Sequence, residues 1–300
     1  MRLEEINIRD PFVLVENGSY YQEHVSNKLY FMYGTRGATC WTKATGFDCY
    51  VSSDMKEWDG PFEVFHKPEE FWADKNCWAP EVYKYKEEFY MFATFKDSKT
   101  HGGTAILKSD SPLGPFKMHS DKQITPNDWE CLDGTFYLSN DGIPYMVFVH
   151  EWVQITDGEI CAVRLSDDLK SAVDEPKVLF RASEAGSWIK PYTNEKYPQK
   201  NYVADGPFLY RTNGGKLMIL WSSFGEEGYT EAIAFSDNGE IDGKWIHQQE
   251  LLFKKDGGHG MVFQALDGER YLTLHIPNVH LEEHPMFYRL KEINDTLCLT

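Results

Sequence analysis

Short apolar runs alternate with turns along the whole chain, and the 3.6-residue apolar period of a helix is hard to find. The runs come in five pairs, and most pairs are joined by Gly, Asn or Asp, which tolerate the positive φ of tight hairpins. The paired runs are Pro11–Val15 with Tyr30–Tyr33, Val82–Tyr85 with Phe89–Thr94, Thr135–Leu138 with Tyr145–Val149, Phe208–Arg211 with Leu217–Ser222, and Met261–Ala265 with Tyr271–His275. The pattern therefore predicts five β-hairpins.

Further strands are predicted behind most of these hairpins. Third strands are expected at Asp48–Ser52, Thr104–Lys108, Ile160–Leu165 and Glu231–Phe235, and outer strands at Gly60–Val64 and Gly114–Lys117. The units then repeat every ~50–70 residues, the size of a four-stranded propeller blade with its loops. We therefore expect an all-β, five-bladed β-propeller, with residues 1–300 as one domain. The last unit is short, so Met1–Ile8 is expected to supply its closing strand.

A repeated phrase favours the propeller over a β-sandwich, which is the structural alternative. The phrase opens the first strand of each unit as Arg9-Asp10-Pro11-Phe12, Trp78-Ala79-Pro80-Glu81, Leu132-Asp133-Gly134-Thr135-Phe136, Ala204-Asp205-Gly206-Pro207-Phe208 and Gly258-His259-Gly260-Met261-Val262-Phe263. Aligned on these phrases, one register around the axis is expected to hold Asp10, Trp78, Asp133, Asp205 and His259. Three of the five units then present a carboxylate at the same register.

The propeller geometry predicts a pocket at this register. The first strand of each blade lines the central channel and the second runs back, so first-strand starts and second-strand ends meet at one face. The second-strand ends are 34–36, 94–96, 150–152, 222–224 and His275. Carboxylates crowded in a partly buried pocket raise at least one pKa, which separates a proton donor from a proton acceptor. Glycoside hydrolysis requires this division.

The composition of the chain narrows the classes of molecule that it binds. The chain has 30 basic and 47 acidic residues, a net charge of −17, which disfavours nucleic acid and anionic membranes. Aromatic residues make up 15% of the chain, and we expect most between the sheets and a few against a sugar. Serine-hydrolase elbows, phosphate loops and dinucleotide fingerprints are absent from the sequence.

The N-terminal sequence and the cysteines suggest a compartment. MRLEEINIRD has no basic segment followed by an apolar stretch, and no run approaches the ~18 apolar residues of a membrane helix. The six cysteines are scattered without a CxxC pair, so we expect reduced thiols. These features predict a cytoplasmic protein.

The five phrases, in this order and at this spacing, resemble glycoside hydrolase family 43, the five-bladed propeller hydrolases that act on arabinosides and xylosides. The resemblance covers essentially the whole chain. It implies that Asp10 is the general base that activates water, that Asp133 tunes and holds the general acid, and that the reaction inverts the anomeric carbon. It also implies that His259 lies near a bound metal or water, commonly calcium; no other cofactor is expected.

The fourth phrase departs from the family pattern. The family's general acid is usually a Glu just before Gly-Pro or Ala-Pro, whereas this chain has Asp205, which is one methylene shorter. Proton transfer needs a reach of about 2.6–3.2 Å. Three alternatives follow. Asp205 is the acid and the sugar lies deeper in the pocket, or Glu151 from the third unit is the acid, or the site is hydrolytically weak. Glu151 is slightly preferred to Asp205.

The expected activity is inverting release of terminal arabinofuranosyl or xylosyl units from short oligosaccharides. Position alone suggests sugar contacts for Trp78, Arg36, Trp152 and His259. One alternative is a glycan-binding propeller without catalysis, motivated by Asp205. Another is a glycoside phosphorylase, for which the sequence reveals no cluster of Arg, Lys or His near the pocket. A purely structural propeller is disfavoured by the axial carboxylates. The oligomeric state is left open.

Overall fold

The structure, a computed structural model, describes residues 1–22 and 27–300. Five four-stranded antiparallel sheets surround a central axis, and each is built from consecutive strands, β1–β4, β5–β8, β9–β12, β13–β16 and β17–β20. We number these sheets blades one to five. The five-bladed β-propeller predicted from the sequence is confirmed.

The strands are β1 (Ile8–Asn17), β2 (Lys28–Arg36), β3 (Gly46–Ser52), β4 (Asp59–His66), β5 (Cys77–Tyr85), β6 (Glu88–Phe95), β7 (Gly103–Ser109), β8 (Lys117–Gln123), β9 (Cys131–Leu138), β10 (Pro144–His150), β11 (Glu159–Arg164), β12 (Lys177–Arg181), β13 (Asp205–Arg211), β14 (Leu217–Gly225), β15 (Gly228–Ser236), β16 (Trp245–His247), β17 (Gly258–Gln264), β18 (Arg270–Ile276), β19 (His284–Ile293) and β20 (Thr296–Leu299). One helical turn, α1, spans Trp152–Ile155, and short 3-10 segments lie at Leu3–Glu5, Gly18–Tyr20, Gly37–Thr39 and Ala182–Ala185.

Blade five is closed by its own residues, so the prediction that Met1–Ile8 supplies its last strand is wrong. β20 pairs with β19 across a two-residue turn, Asn294-Asp295, whose φ values are 52° and 60°. Positive φ at both central residues matches the twist of a hairpin, and Asn and Asp tolerate it. Residues 3–5 instead form a 3-10 turn, and the Met1 amino group donates a hydrogen bond to the Trp58 carbonyl oxygen in blade one.

Aromatic side chains pack between neighbouring blades all round the ring. The pairs are Phe47 with Phe95, Phe92 with Phe136, Phe180 with Trp221, Phe253 with Tyr288 and Tyr30 with Phe263, with ring centroids 5.0–6.2 Å apart. Such pairs add about 0.5–1.5 kcal/mol each beyond the area they bury. The interfaces hold each blade at a fixed angle to the next, which fixes the geometry at the axis.

The six cysteines are free thiols, five of them buried. Among residues 1–22 and 27–300, no helix has the length and apolar character needed to cross a membrane.

Candidate active site

A cavity of about 720 Å³ opens at the face where first strands begin and second strands end. This volume is typical of small-ligand sites. Its lining includes all four predicted catalytic carboxylates, Asp10, Asp133, Glu151 and Asp205, and three of the four predicted sugar contacts, Trp78, Trp152 and His259. The predicted pocket face is therefore where the carboxylates converge.

A β-bulge at the start of every first strand aims these side chains. In blade one the antiparallel register shifts between Arg9 and Phe12, and the other four blades have the same irregularity at the matching place. The bulged residues all have positive φ, between 44° and 56°; they are Asp10, Ala79, Asp133, Gly206 and His259. Bulges re-aim side chains next to active sites, and here they turn Asp10, Asp133 and His259 towards one another.

The bulges correct the predicted register in two blades. Trp78 and Asp205 each precede the bulged residue by one position, so they do not share a register with Asp10, Asp133 and His259. Two rings of residues result. The axial ring is the set of bulged residues, and the wall ring one position earlier consists of Arg9, Trp78, Leu132, Asp205 and Gly258. Two carboxylates, not three, occupy the axial ring.

A repeated hydrogen bond links each blade to the next at the axial ring. The backbone N–H of Ala79 donates to Thr35 Oγ1, that of Asp133 to Thr94 Oγ1 and that of His259 to Ser222 Oγ, at 2.7–2.8 Å. Each hydroxyl belongs to the residue that pairs with the wall-ring position of the preceding blade. These contacts fix the position of each blade relative to the next at the depth of the axial carboxylates.

Blade three breaks this repeat. Its residue at the hydroxyl position is Val149, which has no acceptor in its side chain. The N–H of Gly206 donates instead to Asp133 Oδ2, at 3.0 Å. The Asp133 carboxylate is therefore tied directly to the backbone next to Asp205.

Asp10 and His259 form an ion pair at the bottom of the cavity. His259 Nδ1 lies 3.1 Å from Asp10 Oδ1 and 3.7 Å from Asp133 Oδ2. Burial opposes the charge on His259, but the two carboxylates raise its pKa to about 10. Burial likewise opposes the charge on Asp10, but the His259 charge and hydrogen bond hold the pKa of Asp10 well below its usual range. Thr35 also donates to Asp10 Oδ2, at 2.6 Å. Asp10 is therefore ionised at neutral pH.

Asp205 has the opposite character. Burial and the nearby charge of Asp133 raise the pKa of Asp205 to about 8, although His259 acts against this rise. Burial raises the pKa of Asp133 to about 6, with His259 opposing and Asp10 adding to the rise. The cavity thus contains one carboxylate held ionised and one carboxyl group held protonated at neutral pH.

Glu151 is engaged by a buried lysine. Its carboxylate forms a short ion pair with Lys96, which also lies 2.6 Å from Glu130 Oε1. The Lys96 ammonium stands 5.4 Å from the centre of the Trp78 ring. One connected patch of the cavity wall is therefore formed by Glu151, Lys96 and Trp78. Lys96 and Trp78 come from blade two, and Glu151 comes from blade three.

The structure places Arg36 apart from the other predicted sugar contacts. Its guanidinium makes a two-pronged contact with Asp48, both distances 2.6 Å, and reaches Glu63 at 3.1 Å. Arg36 is not among the residues that line the cavity. It ties β2 to β3 and β4, and the predicted contact with sugar hydroxyls has no support in its position.

The residues around His259 do not fit direct coordination of calcium. A ligating imidazole nitrogen must have a free lone pair, whereas His259 Nδ1 is directed at Asp10 Oδ1, 3.1 Å away. Calcium also prefers six to eight oxygen ligands. Within the described ranges, 1–22 and 27–300, no group of three or more His, Cys, Asp or Glu side chains is placed to hold a metal ion. His259 instead provides the positive charge between the two carboxylates.

Several cavity residues escaped the sequence analysis. Trp41 lies in the cavity with 56% of its surface exposed, beside Trp78 and under the Arg9 guanidinium. Tyr192 and Tyr197 enter from the long connection between blades three and four and pack on Trp152. Position at a second-strand end identified Trp152, but these aromatic residues lie in connections without a repeat.

Known proteins of similar sequence or structure include an arabinofuranosidase, an endo-arabinase and a xylanase. The chain is 22% identical to an extracellular exo-α-(1→5)-L-arabinofuranosidase of Cellvibrio japonicus, over 91% of this chain and 79% of that protein. The crystal structure of an endo-arabinase from Bacteroides thetaiotaomicron is 36% identical, covers 98% of both chains and superposes with a TM-score of 0.88. An endo-1,4-β-xylanase from the same organism, at 23% identity and a TM-score of 0.74 over 100% of this chain and 95% of that one, shares the fold.

The first of these relatives corrects the predicted compartment. It is described as extracellular, which contradicts the expectation of a cytoplasmic protein. That expectation depended on the N-terminal residues and on unpaired cysteines, and six free thiols, five of them buried, do not by themselves identify a compartment. The prediction of a cytoplasmic protein is therefore wrong.

The family follows from a match along nearly the whole chain. The family described as Glycosyl hydrolases family 43 matches residues 5–293, which span all five blades. The repeated phrases lie within this range, and the axial carboxylates lie within the phrases. The chain therefore belongs to family 43 of the glycosyl hydrolases.

Proposed function

We propose that this family 43 hydrolase cleaves arabinofuranosyl linkages with inversion, with Asp10 as general base, Asp205 as general acid and Asp133 as the group that keeps Asp205 protonated. One observation carries the proposal. In the same cavity, His259 lowers the pKa of Asp10 while burial and Asp133 raise the pKa of Asp205 to about 8. Two carboxyl groups whose environments drive their pKa values apart are the acid and base of glycoside hydrolysis.

Asp10 is equipped to activate water. Its two oxygens accept one hydrogen bond from Thr35 and one from His259. An ionised carboxylate has about four lone-pair directions, so positions remain for a water molecule to donate to it. As that water attacks the anomeric carbon, its proton passes to Asp10. The bond from that carbon to the leaving oxygen breaks as Asp205 gives its proton to this oxygen, so the net charge of the site does not change.

Asp205 is the better supported general acid of the two candidates. Its carboxyl group holds a proton at neutral pH and lines the cavity. The Glu151 carboxylate is instead paired with Lys96. A general acid needs its carboxyl group free to reach the leaving oxygen, and this ion pair occupies it. The slight sequence-based preference for Glu151 is therefore reversed in this proposal, and Glu151 is assigned to binding sugar hydroxyls together with Lys96.

The substrate is proposed from the relatives and the cavity. Two of the relatives described above are named for arabinofuranosidase or arabinase activity, which favours an arabinofuranosyl over a xylosyl substrate. A cavity of about 720 Å³ with aromatic residues on both sides suits a short oligosaccharide. We therefore propose release of terminal arabinofuranosyl units from short α-linked arabino-oligosaccharides.

A substrate panel tests the proposal. Wild-type protein and Asp10→Asn are incubated with arabino-oligosaccharides, xylo-oligosaccharides and the nitrophenyl glycosides of α-L-arabinofuranose, β-D-xylose and β-D-galactose. We expect arabinose release by the wild type alone, with the inverted anomer as the first product seen by NMR. Release of xylose or galactose instead would overturn the substrate, a retained anomer would overturn the mechanism, and no turnover of any substrate would favour the glycan-binding alternative.

A further inference from the structure

In blade five the wall ring has no side chain, and a residue from outside the ring fills the space. Four blades contribute a side chain to this ring, but blade five contributes Gly258. A Cβ added to Gly258 would lie 2.8 Å from Cε1 of Tyr229 and 2.6 Å from Ser222 Oγ. The aromatic ring of Tyr229, from the start of β15, therefore occupies the space where the fifth wall residue would project. Tyr229 is buried, with 3% of its surface exposed, and lines the cavity.

Tyr229 contacts the proposed acid and the support of the proposed base. Its hydroxyl donates a hydrogen bond to Asp205 Oδ2, at 3.1 Å. Its ring stacks on His275, with centroids 5.6 Å apart and planes 24° from parallel. Nδ1 of His275 in turn accepts a hydrogen bond from the backbone N–H of Asp10, at 3.3 Å. One side chain therefore connects the two groups that must lie on opposite sides of the scissile bond.

The protonation states of these partners are consistent with this arrangement. Burial and the Arg9 charge lower the pKa of His275 to about 3, so the ring is neutral, accepts at Nδ1 and donates from Nε2 to Asn278 Oδ1. Burial and the neighbouring carboxylates, Asp205 first among them, raise the pKa of Tyr229 well above its usual value. Tyr229 therefore remains a hydrogen-bond donor at every working pH.

Resting on the assignment of Asp205 as the acid, we propose that Tyr229 is a positioning residue for proton donation. By donating to Oδ2, the Tyr229 hydroxyl makes that oxygen the acceptor of the carboxyl group and leaves the acidic proton on Oδ1. By stacking on His275, the ring fixes Asp205 relative to Asp10. Both effects matter here because aspartate is one methylene shorter than glutamate, and a proton can be donated only within about 2.6–3.2 Å.

Other charged groups also face this pair. Asp133, His259 and Glu151 act on Asp205, and Asp10, Asp133 and Arg9 act on Tyr229. None of them donates to Asp205 Oδ2 in the structure; among the side chains of the described residues, Tyr229 alone makes a hydrogen bond to the Asp205 carboxyl group. The effect of losing that bond is therefore separable from the effects of the surrounding charges.

The test is Tyr229→Phe, which keeps the ring and removes the hydroxyl. Full-length protein is assayed on an unactivated arabino-oligosaccharide, whose leaving group needs a proton, and on nitrophenyl α-L-arabinofuranoside, which needs little help. We expect kcat/KM to fall about tenfold or more on the oligosaccharide and less than about threefold on the aryl glycoside. The Tyr229 hydroxyl favours the ionised form of Asp205, so its loss should move the alkaline limb of the pH profile to higher pH.

Two comparisons make the outcome decisive. Tyr33→Phe removes another buried tyrosine hydroxyl, bonded to the Pro112 carbonyl oxygen at 2.7 Å, and should produce neither effect. Equal losses of Tyr229→Phe on both substrates with an unmoved pH limb would overturn the proposal. The ratio between substrates does not depend on how much enzyme is folded, so partial unfolding cannot mimic the result. Asp205→Asn is assayed in parallel. Leaving-group dependence in Asp205→Asn but not in Tyr229→Phe would overturn the role of Tyr229 alone, whereas its absence from both variants would overturn the acid assignment and the role of Tyr229 with it.

Discussion

Asp133 Oδ2 accepts a hydrogen bond from the backbone N–H of Gly206, at 3.0 Å, where every other blade interface uses a hydroxyl or an imidazole nitrogen. Val149 occupies the hydroxyl position of blade three and leaves the Gly206 N–H to the carboxylate. Asp133, which raises the pKa of Asp205, thus also accepts a hydrogen bond from Gly206, the residue that follows Asp205. Tuning and positioning of the proposed acid depend on one side chain.

Asp133→Asn should shift the pH profile without disrupting the blade interface. The negative charge of Asp133 raises the pKa of Asp205, so an uncharged amide should let Asp205 lose its proton at lower pH. We expect the alkaline limb of kcat/KM to move to lower pH. The amide oxygen can still accept the Gly206 hydrogen bond, so the melting temperature should change little. An unmoved limb in a folded variant would contradict the tuning role.

Asp10→Asn should abolish turnover while leaving the fold intact. An amide cannot accept the proton of the attacking water, and general acid–base groups contribute about 10²- to 10⁴-fold. We expect a loss of this size in kcat, measured beside the thermal melt. Thr35→Ser is a matched control because it keeps the hydroxyl that donates to Asp10 Oδ2. A near-normal rate for Asp10→Asn would remove the base assignment.

Asp205→Asn and Glu151→Gln distinguish the two acid candidates. The sequence-based preference predicts that Glu151→Gln damages poor leaving groups more than activated aryl glycosides. The ion pair of Glu151 with Lys96 favours Asp205 as the acid instead. Asp205→Asn should then lose more activity on poor leaving groups than on aryl glycosides. Glu151→Gln should lose a similar amount on both substrates, mainly through a higher KM. Rates on an oligosaccharide and an aryl glycoside decide the matter, and leaving-group dependence confined to Glu151→Gln would restore Glu151 as the acid.

The blades were predictable because their signals are local. Turn residues with positive φ and alternating apolar runs mark each hairpin, and radial repetition follows from spacing. The offset of Asp205 was missed because Asp133-Gly134 and Asp205-Gly206 look alike in sequence. Proline was the better guide: it follows the bulged residue in Asp10-Pro11 and again in Gly206-Pro207. Alignment on proline places Asp205 one position before the bulge.

Contacts between blades and from irregular connections could not be predicted. Lys96 and Glu151 belong to different blades, and their distance depends on the angle between two sheets, which no local pattern encodes. Tyr192 and Tyr197 lie in a connection that has no counterpart in the other blades. Both residues lie at second-strand ends, which predicts the correct face, but the ion pair that favours Asp205 over Glu151 as the proposed acid depends on the assembled ring.

Trp41→Ala should weaken binding with little effect on the chemical step. The indole is 56% exposed inside the cavity and held between Arg9 and Trp78, a position suited to the apolar face of a sugar. Losing about 40 Å² of apolar contact costs about 1 kcal/mol, or about a fivefold rise in KM. Trp41→Phe, which keeps a flat ring, should lie between. A change confined to kcat would contradict a binding role.

Asp205→Asn should also make the protein more stable in alkaline solution. A carboxyl group whose folded-state pKa is raised to about 8 keeps its proton on folding, while the unfolded chain loses it near 3.8. Between these values the folded state binds more protons, so the free energy of unfolding falls as pH rises. Below the unfolded value the aspartate costs nothing. Asparagine carries no proton to lose, so its advantage over aspartate should be absent near pH 3, grow as pH rises and level off above about 8.

Melting curves across this range should separate by at least about 2 °C at the alkaline end, which corresponds to about 1 kcal/mol in a protein of this size. Asp10→Asn should do the opposite there, because the variant loses a carboxylate that His259 stabilises in its charged form. Parallel melting curves for wild type and Asp205→Asn would mean that Asp205 is ionised in the folded protein, and would remove its proton from the mechanism.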